Sequence, residues 1–264
     1  MKRKAGIFAA GMILAVLIFM ATAWHTFSTT NKKISVGIET LPTLTNFYDE
    51  QDRFSIYIKE SSKLAASQAL YNLAKDAAID KNKELCRIEP QTGYIIWDSS
   101  CKPELSFIKQ KFLQNYNKSF NEFIQKYPNA NLRPTYINEF DETTAKNKEI
   151  KSTALPIIFQ SIEKGTFAVY NFSYVIETST KINLTEQNIY LEDFEEIYNK
   201  IIEEKAKCQT LDVDCFKNLN FDRWNFDVER QGSYIIFKFK TKAIYFFQET
   251  SIERYAPIEL NFAI

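Results

Sequence analysis

The strongest hydropathy feature is an uncharged stretch, residues 5–24, which reads AGIFAAGMILAVLIFMATAW and directly follows the basic residues 2–4. A helix of about 20 apolar residues, rising about 1.5 Å per residue, matches the thickness of a bilayer's hydrocarbon core. The next cations are Lys32 and Lys33, so the positive-inside rule places the N-terminus in the cytoplasm. We therefore predict a signal-anchor over residues 1–24 that contacts membrane lipid through 5–24.

Two other fates of this stretch fit the sequence. The small residues Ala21, Thr22 and Ala23 are typical of a signal peptide cleaved before Trp24, and cleavage near Gly6 would match the processing of a prepilin. Trp24 also suits an interfacial anchor at the end of a retained span. We expect the retained form, a single-pass protein of the cell membrane whose C-terminal domain is extracellular.

After a Ser/Thr-rich spacer over residues 25–47, the apolar positions recur at steps of three and four, which predicts amphipathic helices. The predicted helices cover 49–80, 103–127 and 191–207. The first has a shallow, alanine-rich face, for which packing within the chain is the expected use. The second carries a stripe of aromatic and aliphatic side chains, which indicates deep burial.

Between and after these helices the period changes to two, which predicts strands. Segments 132–140, 154–162 and 166–177 show this alternation, and the polar run 141–152 between the first two is expected to be a loop. The last third resembles an antiparallel meander from Trp224 to the C-terminus. The fold class is therefore α+β, an N-terminal transmembrane helix followed by an extracellular domain of amphipathic helices packed on antiparallel sheet.

A helix followed by strands occurs twice downstream of the spacer. The predicted ectodomain therefore covers residues 48–264 either as one domain or as two subunits, 48–180 and 181–264. This length is sufficient for a hydrophobic core.

The composition excludes several classes of function. The 22 Phe and 14 Tyr residues are too many for a disordered chain. The 33 basic residues are balanced by 33 acidic ones, which does not favour nucleic-acid binding. Only 6 Gly are present, and neither GxGxxG nor GxxxxGK[ST] occurs. The single histidine, His25, excludes histidine-based triads and HExxH metal sites. We expect no catalytic or metal-binding constellation and no cofactor.

Four cysteines form two sets that are close in sequence, Cys86 with Cys101 and Cys208 with Cys215. An even number of cysteines outside the cytosol favours disulfides, and the turn-forming residues 89–93 would bring the first two together in a hairpin. A zinc site is the competing interpretation, but these spacings lack CxxC-like knuckles. We predict two local disulfides with a structural role.

The sequence also contains three N-glycosylation sequons, at Asn117, Asn171 and Asn183. They are compatible with an extracellular domain.

The KAGIF start, together with the segments DEQDRFSIYI, CKPELSFIKQKFLQNY and LEDFEEIYNKIIEE, resembles uncharacterised single-pass surface proteins of archaea, some with pilin-like N-termini. The resemblance implies cell-surface placement and no known activity. Gly11 stands where pilin-like proteins usually carry an acidic residue.

We therefore expect a membrane-anchored cell-surface protein whose ectodomain serves a structural, adhesive or partner-binding role, with a protein or a glycan as partner. A surface hydrolase with paired carboxylates is the enzymatic alternative, and a minor pilin-like subunit is another. Asp212 and Asp214, in the small Cys208–Cys215 loop, are expected to be solvated loop acids, because that loop lacks calcium-loop spacing. Lys238, Lys240 and Lys242 are expected to line the solvent face of a strand.

Overall fold

The computed structural model describes residues 20, 22, 48–79, 86–141, 148–164, 169–176, 178–208, 212–250 and 252–264. No helix in this part of the chain is both long and apolar enough to cross a membrane. The predicted span over 5–24 lies outside it except for Met20 and Thr22, so the span stays a prediction. The spacer and His25 also lie outside the described residues.

Three α-helices lie in the described residues, as the apolar periodicity predicts. Helix α1 covers 48–75, α2 is Leu105–Ile124 and α3 is Asp193–Lys207. In α2 the buried positions recur every three or four residues on one face, and they are Ile108, Phe112, Tyr116, Ser119, Phe120 and Ile124.

Ten strands pair antiparallel, and together with the helices they confirm the predicted α+β class in the described residues. In chain order they are β1 Ile137–Phe140, β2 Glu149–Thr153, β3 Ile157–Lys164, β4 Val169–Ile176, β5 Thr180–Asn183, β6 Trp224–Gln231, β7 Tyr234–Thr241, β8 Tyr245–Glu249, β9 Ile252–Ala256 and β10 Glu259–Ala263. They form two three-stranded sheets, ordered β1-β2-β5 and β10-β7-β6, and two hairpins, β3-β4 and β8-β9.

The chain divides into two compact units. One includes the β3-β4 hairpin and the helix residues up to Phe54, and the other consists of Ser55–Pro156 and Glu177–Ile264. In the hairpin, Ile157 lies opposite Ile176 and Lys164 lies opposite Val169. The larger unit contains both three-stranded sheets, α2, α3 and the β8-β9 hairpin.

Within the larger unit, α1 packs against two neighbours through its alanine-rich face. Ala65, Ala66 and Ala69 are fully buried inside the chain, which confirms the prediction of intramolecular packing. Gln68 makes reciprocal hydrogen bonds with the main chain of Gln248 on β8, at 3.2 and 2.7 Å. On the other side, the hydroxyl of α1 residue Tyr57 donates to the carbonyl of Phe123 on α2 at 2.7 Å.

The core of the larger unit is an aromatic layer on the β10-β7-β6 sheet. Phe237 and Phe239 on β7 both stack with Phe262 on β10, with ring centroids 5.3 and 5.8 Å apart. Trp97 stacks on the same Phe262 at 3.6 Å. The main-chain N–H of Ala263 donates to Ile95 at 2.9 Å, so the segment before Trp97 is tied to the edge of β10.

The structure corrects several details of the predicted elements; the first helix, for example, ends at residue 75 rather than 80. The run 141–152 is not a loop throughout, because β2 starts at Glu149, and β5 was not predicted at all. The predicted strand at 132–140 opens with a 3₁₀ turn, Ala130–Leu132. Within the meander predicted from Trp224 onwards, the chain bends between β7 and β8 at residues 242–244. Short polar strands such as β2 lack the hydrophobic alternation on which strand prediction depends.

Candidate functional site

A polar cavity of about 290 Å³ lies in the larger unit. The residues that line it come from α1, from the segment that leads into α3, from the start of β6 and from the bend between β7 and β8. They are Leu70, Asn188, Tyr190, Asp193, Asp222, Arg223, Trp224, Thr241, Lys242, Ala243 and Tyr245.

Asp193, the first residue of α3, is the buried centre of this site. Its two carboxylate oxygens accept from Arg223 Nε at 3.1 and 2.9 Å, and Arg223 Nη2 donates to one of them. Trp224 Nε1 donates to the other oxygen at 2.9 Å. A carboxylate at a helix N-terminus is favoured by the helix dipole, and here it also joins α3 to the start of β6.

Arg223 is held from two directions. Its guanidinium lies 4.0 Å from the centroid of the Tyr190 ring, a cation–π contact. The hydrogen bonds to Asp193 raise the pKa of Arg223 above its ordinary value, although burial acts in the opposite sense. The Arg223 side chain is 40% exposed.

Lys242 lies in the bend after β7 and is fixed by main-chain acceptors. Its Nζ donates to the carbonyl oxygens of Phe221 at 3.1 Å and Asp222 at 2.8 Å. It forms no ion pair with any described carboxylate. The side chain of Asp222, in turn, forms no hydrogen bond or ion pair with any described residue. Besides Arg223 and Asp193, the lining thus contains one cation and one anion that form no ion pair with a described residue.

Tyr245 forms the rigid back wall. Its hydroxyl donates to the carbonyl of Asn188 at 2.7 Å, and Asn188 adopts a left-handed backbone conformation at φ 57°. Burial raises the pKa of Tyr245 to about 12, and the neighbouring Asp193 carboxylate adds to the rise. The phenol therefore remains a neutral donor at physiological pH.

The two acids of the cavity differ in their contacts. Asp193 and Asp222 both line the cavity, but both oxygens of Asp193 are engaged by Arg223 and Trp224. A hydrolase with paired carboxylates needs two acids free to act on one bond. Across the described residues no group of three or more His, Cys, Asp or Glu side chains is placed to hold a metal ion.

The predicted disulfide residues lie away from this cavity. Cys86 is bonded to Cys101 and Cys208 to Cys215, with Cα atoms 5.2 and 6.2 Å apart, which fits the predicted local disulfides. All four cysteines of the chain are described and none is free. This pairing disfavours the zinc interpretation, because a zinc site needs free thiolates.

The sequons also lie outside the cavity. Asn117 is in the middle of α2, where its Oδ1 accepts from Asn121 at 2.9 Å and Asn138 at 2.6 Å. Asn183 ends β5, and its Oδ1 accepts from the main-chain N–H of Thr185 at 3.0 Å. Asn171 is in β4. Glycosylation at the three positions stays a prediction.

The acids of the small disulfide loop make local contacts. Asp212 accepts from the main-chain N–H of Val213 at 2.7 Å, and Asp214 pairs with Lys217. These contacts fit the expectation of solvated loop acids.

The predicted lysine row is divided by the structure. Lys238 pairs with Glu229 at 2.7 Å and Lys240 with Glu259 at 2.9 Å, as expected for a solvent face. Lys242 departs from this pattern, because β7 ends at Thr241 and the chain bends. Its ammonium therefore lines the cavity instead.

The central residues of the cavity were not predicted as site residues. Asp193 and Arg223 are 30 positions apart, and no motif spacing links them. The one signal that the sequence offers is an acid, a cation and an indole in adjacent positions, Asp222, Arg223 and Trp224, where the predicted meander starts.

A scan against protein-family models and searches of curated proteins and of solved structures find no match to this chain.

Proposed function

We propose that this protein is anchored in the cell membrane by residues 5–24 and presents an extracellular α+β domain that binds a partner through the cavity around Arg223. The N-terminus is cytoplasmic in this proposal, and the role is recognition rather than catalysis. The resemblance to archaeal surface proteins supports the same placement.

The observation that carries the proposed placement is the pairing of all four cysteines. Disulfides persist in oxidising compartments and are rare in the cytosol. An apolar stretch preceded by Lys2, Arg3 and Lys4 supplies the means of crossing the membrane.

The cavity supports binding over catalysis. Its lining has the mixture typical of ligand sites, with Trp224 and Tyr245 as apolar walls and a few polar groups held in place. The hydrolase alternative loses support because Asp193 is occupied by its own neighbours. The pilin-like alternative depends on residues 7–24, of which only Met20 and Thr22 are described, and on packing of the helix predicted over 49–80 against neighbouring copies.

The placement is tested by adding protease to intact cells that produce the full chain. We expect an antibody against the domain to lose its signal in intact cells, and the protein to stay in the membrane pellet after carbonate extraction. A protein that is protected until the cells are lysed would contradict the proposed orientation.

A charge-insertion variant tests the anchor itself. Leu14→Arg together with Leu17→Arg should prevent stable insertion, because each arginine at mid-span costs about 3 kcal/mol. The matched control, Leu14→Ile with Leu17→Ile, keeps the stretch apolar and should remain in the pellet. Equal pelleting of both variants would show that residues 5–24 are not the anchor.

A further inference from the structure

We propose that the cavity around Arg223 binds a small zwitterion that carries both a carboxylate and an ammonium group, the chemistry of a free amino acid; this rests on the proposed binding role of the same cavity. The proposal depends on three features, which are an arginine edge that no described residue occupies, two charges of opposite sign that form no described ion pair, and a preformed volume of suitable size.

The Arg223 guanidinium is the group we propose to bind the carboxylate of the ligand. A guanidinium has five N–H donors in a planar fork. Asp193 occupies the edge formed by Nε and Nη2, which leaves the edge formed by Nη1 and the second Nη2 hydrogen directed away from Asp193. That edge accommodates a carboxylate through two parallel hydrogen bonds. Contact with the Tyr190 ring and the Asp193 carboxylate fixes the guanidinium beforehand, which lowers the entropy cost of binding.

Lys242 and Asp222 determine that the ligand is a zwitterion rather than a plain anion. The Arg223 and Asp193 charges offset each other. The remaining lining charges are the Lys242 ammonium and the Asp222 carboxylate, neither of which pairs with a described charge. Electrostatic complementarity therefore calls for one group of each sign on the ligand. Lys242 keeps a third N–H beyond its two main-chain bonds, and Asp222 keeps its acceptors.

The cavity is the right size for such a molecule. A volume of about 290 Å³ is at the lower end of ligand pockets and equals roughly ten water molecules. Trp224 and Tyr245 are only 5% and 6% exposed, so the back wall is already packed without a ligand. The side chain of Asn188, which also lines the cavity, forms no hydrogen bond with any described residue and adds a donor and an acceptor.

The experiment measures thermal unfolding of the full chain in detergent micelles, with each of the twenty L-amino acids as the probe. An amino acid that fits should raise Tm by about 5 °C at about one hundred times its Kd. Its N-acetyl derivative and its carboxamide each lack one of the two charges and should produce a much smaller rise. Equal stabilisation by both derivatives, or no stabilisation by any amino acid, would overturn the proposal.

Two variants and a matched control locate the binding in isothermal titrations with the same amino acid. Lys242→Gln and Asp222→Asn should each weaken binding about 10- to 100-fold, since each removes a charge-assisted contact. Lys240→Gln, two residues away on β7, should bind as the wild type does. Asp222→Asn disturbs no described side-chain contact, so it remains informative even if Lys242→Gln fails to fold.

Unchanged affinity in Asp222→Asn would overturn the zwitterion assignment. The protease and extraction experiments on intact cells report on placement without any ligand. Failure of the amino-acid assignment is therefore distinguishable from failure of the proposed membrane placement.

Discussion

Two carboxylates, Asp98 and Asp193, are each held by several donors, but the donors come from different distances along the chain. Asp98 accepts from the side chain and N–H of Ser100 at 2.6 and 2.9 Å, from the N–H of Cys101 at 2.9 Å and from Arg87 at 2.9 Å. All of these donors lie in the segment closed by the Cys86–Cys101 disulfide. The donors to Asp193 lie 30 and 31 residues away, at the start of β6.

The two carboxylates therefore have different roles: one organises a local loop, and the other joins distant parts of the fold. Asp98 shapes a loop whose ends are already joined by a disulfide. Asp193 links a helix to a distant strand, and it does so at the cavity we propose for binding. We therefore expect changes at the Asp98 loop to alter stability alone, and changes at Asp193 to alter both stability and binding.

Replacement of Trp97 is expected to have the largest effect on the free energy of unfolding, because this residue anchors the Asp98 loop in the core. Trp97 is fully buried, stacks on Phe262 and donates from Nε1 to the carbonyl of Ala77 at 3.2 Å. Trp97→Ala should lower the free energy of unfolding by about 4 kcal/mol, because it leaves a large cavity. Trp97→Phe, which keeps a stacking ring and loses the N–H donor, should cost about 1 kcal/mol. Urea unfolding measures both, and equal losses would show that packing on Phe262 contributes little.

A smaller effect is expected at Asp193. Asp193→Asn leaves Arg223 without its counter-charge and should lower the free energy of unfolding by about 3 kcal/mol. This value is at the lower limit for a buried pair, because the Arg223 side chain is 40% exposed and partly screened by water.

The same urea titration of Glu196→Gln provides the control for Asp193. Glu196 lies one turn along α3 and pairs with Lys200 at the surface, where its side chain is 49% exposed. Its replacement should change stability by no more than about 0.5 kcal/mol. Similar losses in the two variants would remove the distinction between the Asp193 link and an ordinary surface pair.

Replacement of Asp98 is expected to have the smallest effect on the free energy of unfolding, and the effect that depends most on pH. Burial acts to raise the pKa of Asp98, but the hydrogen bonds from Ser100, Arg87 and Cys101 outweigh it and lower the pKa to about 2. Because the folded-state pKa lies below the unfolded value of 3.8, the stabilisation is complete above about pH 4 and is lost as pH falls through about 2.

Asp98→Asn should therefore cost about 2 kcal/mol at neutral pH, and its difference from the wild type should shrink between about pH 4 and pH 2. Asp222→Asn, an exposed acid without a described partner, provides the control. If the free energy of unfolding of Asp98→Asn differs from that of the wild type by the same amount across this pH range, the assigned role of Asp98 is contradicted.

The same contrast explains what was predictable from the sequence. The turn at 89–93 was predictable because it depends on neighbours, and in the structure Gly93 takes φ 73° while the Glu89 carboxylate accepts from the N–H groups of Gln91 and Thr92. The predicted meander also extends to β10, where Leu260 and Phe262 are buried and Glu259 is exposed, the alternation of a strand with one buried face.

The cavity was not predictable because its residues are brought together by contacts between distant parts of the sequence. Asp193 reads as one of several acids at the start of an amphipathic helix, and Lys242 reads as one of three alternating lysines. Only the pairing of β6 with β7 brings the segment of Arg223 next to the segment of Lys242, whose main-chain N–H donates to the Arg223 carbonyl at 2.9 Å. Such long-range contacts leave no pattern in a single sequence.

The most direct test of the central claim, that this domain resides in an oxidising compartment, is non-reducing peptide mapping of the full chain isolated from cell membranes. The result we expect is a Cys86 peptide linked to a Cys101 peptide and a Cys208 peptide linked to a Cys215 peptide. Recovery of the protein from the soluble fraction with all four thiols alkylated and unlinked would contradict it.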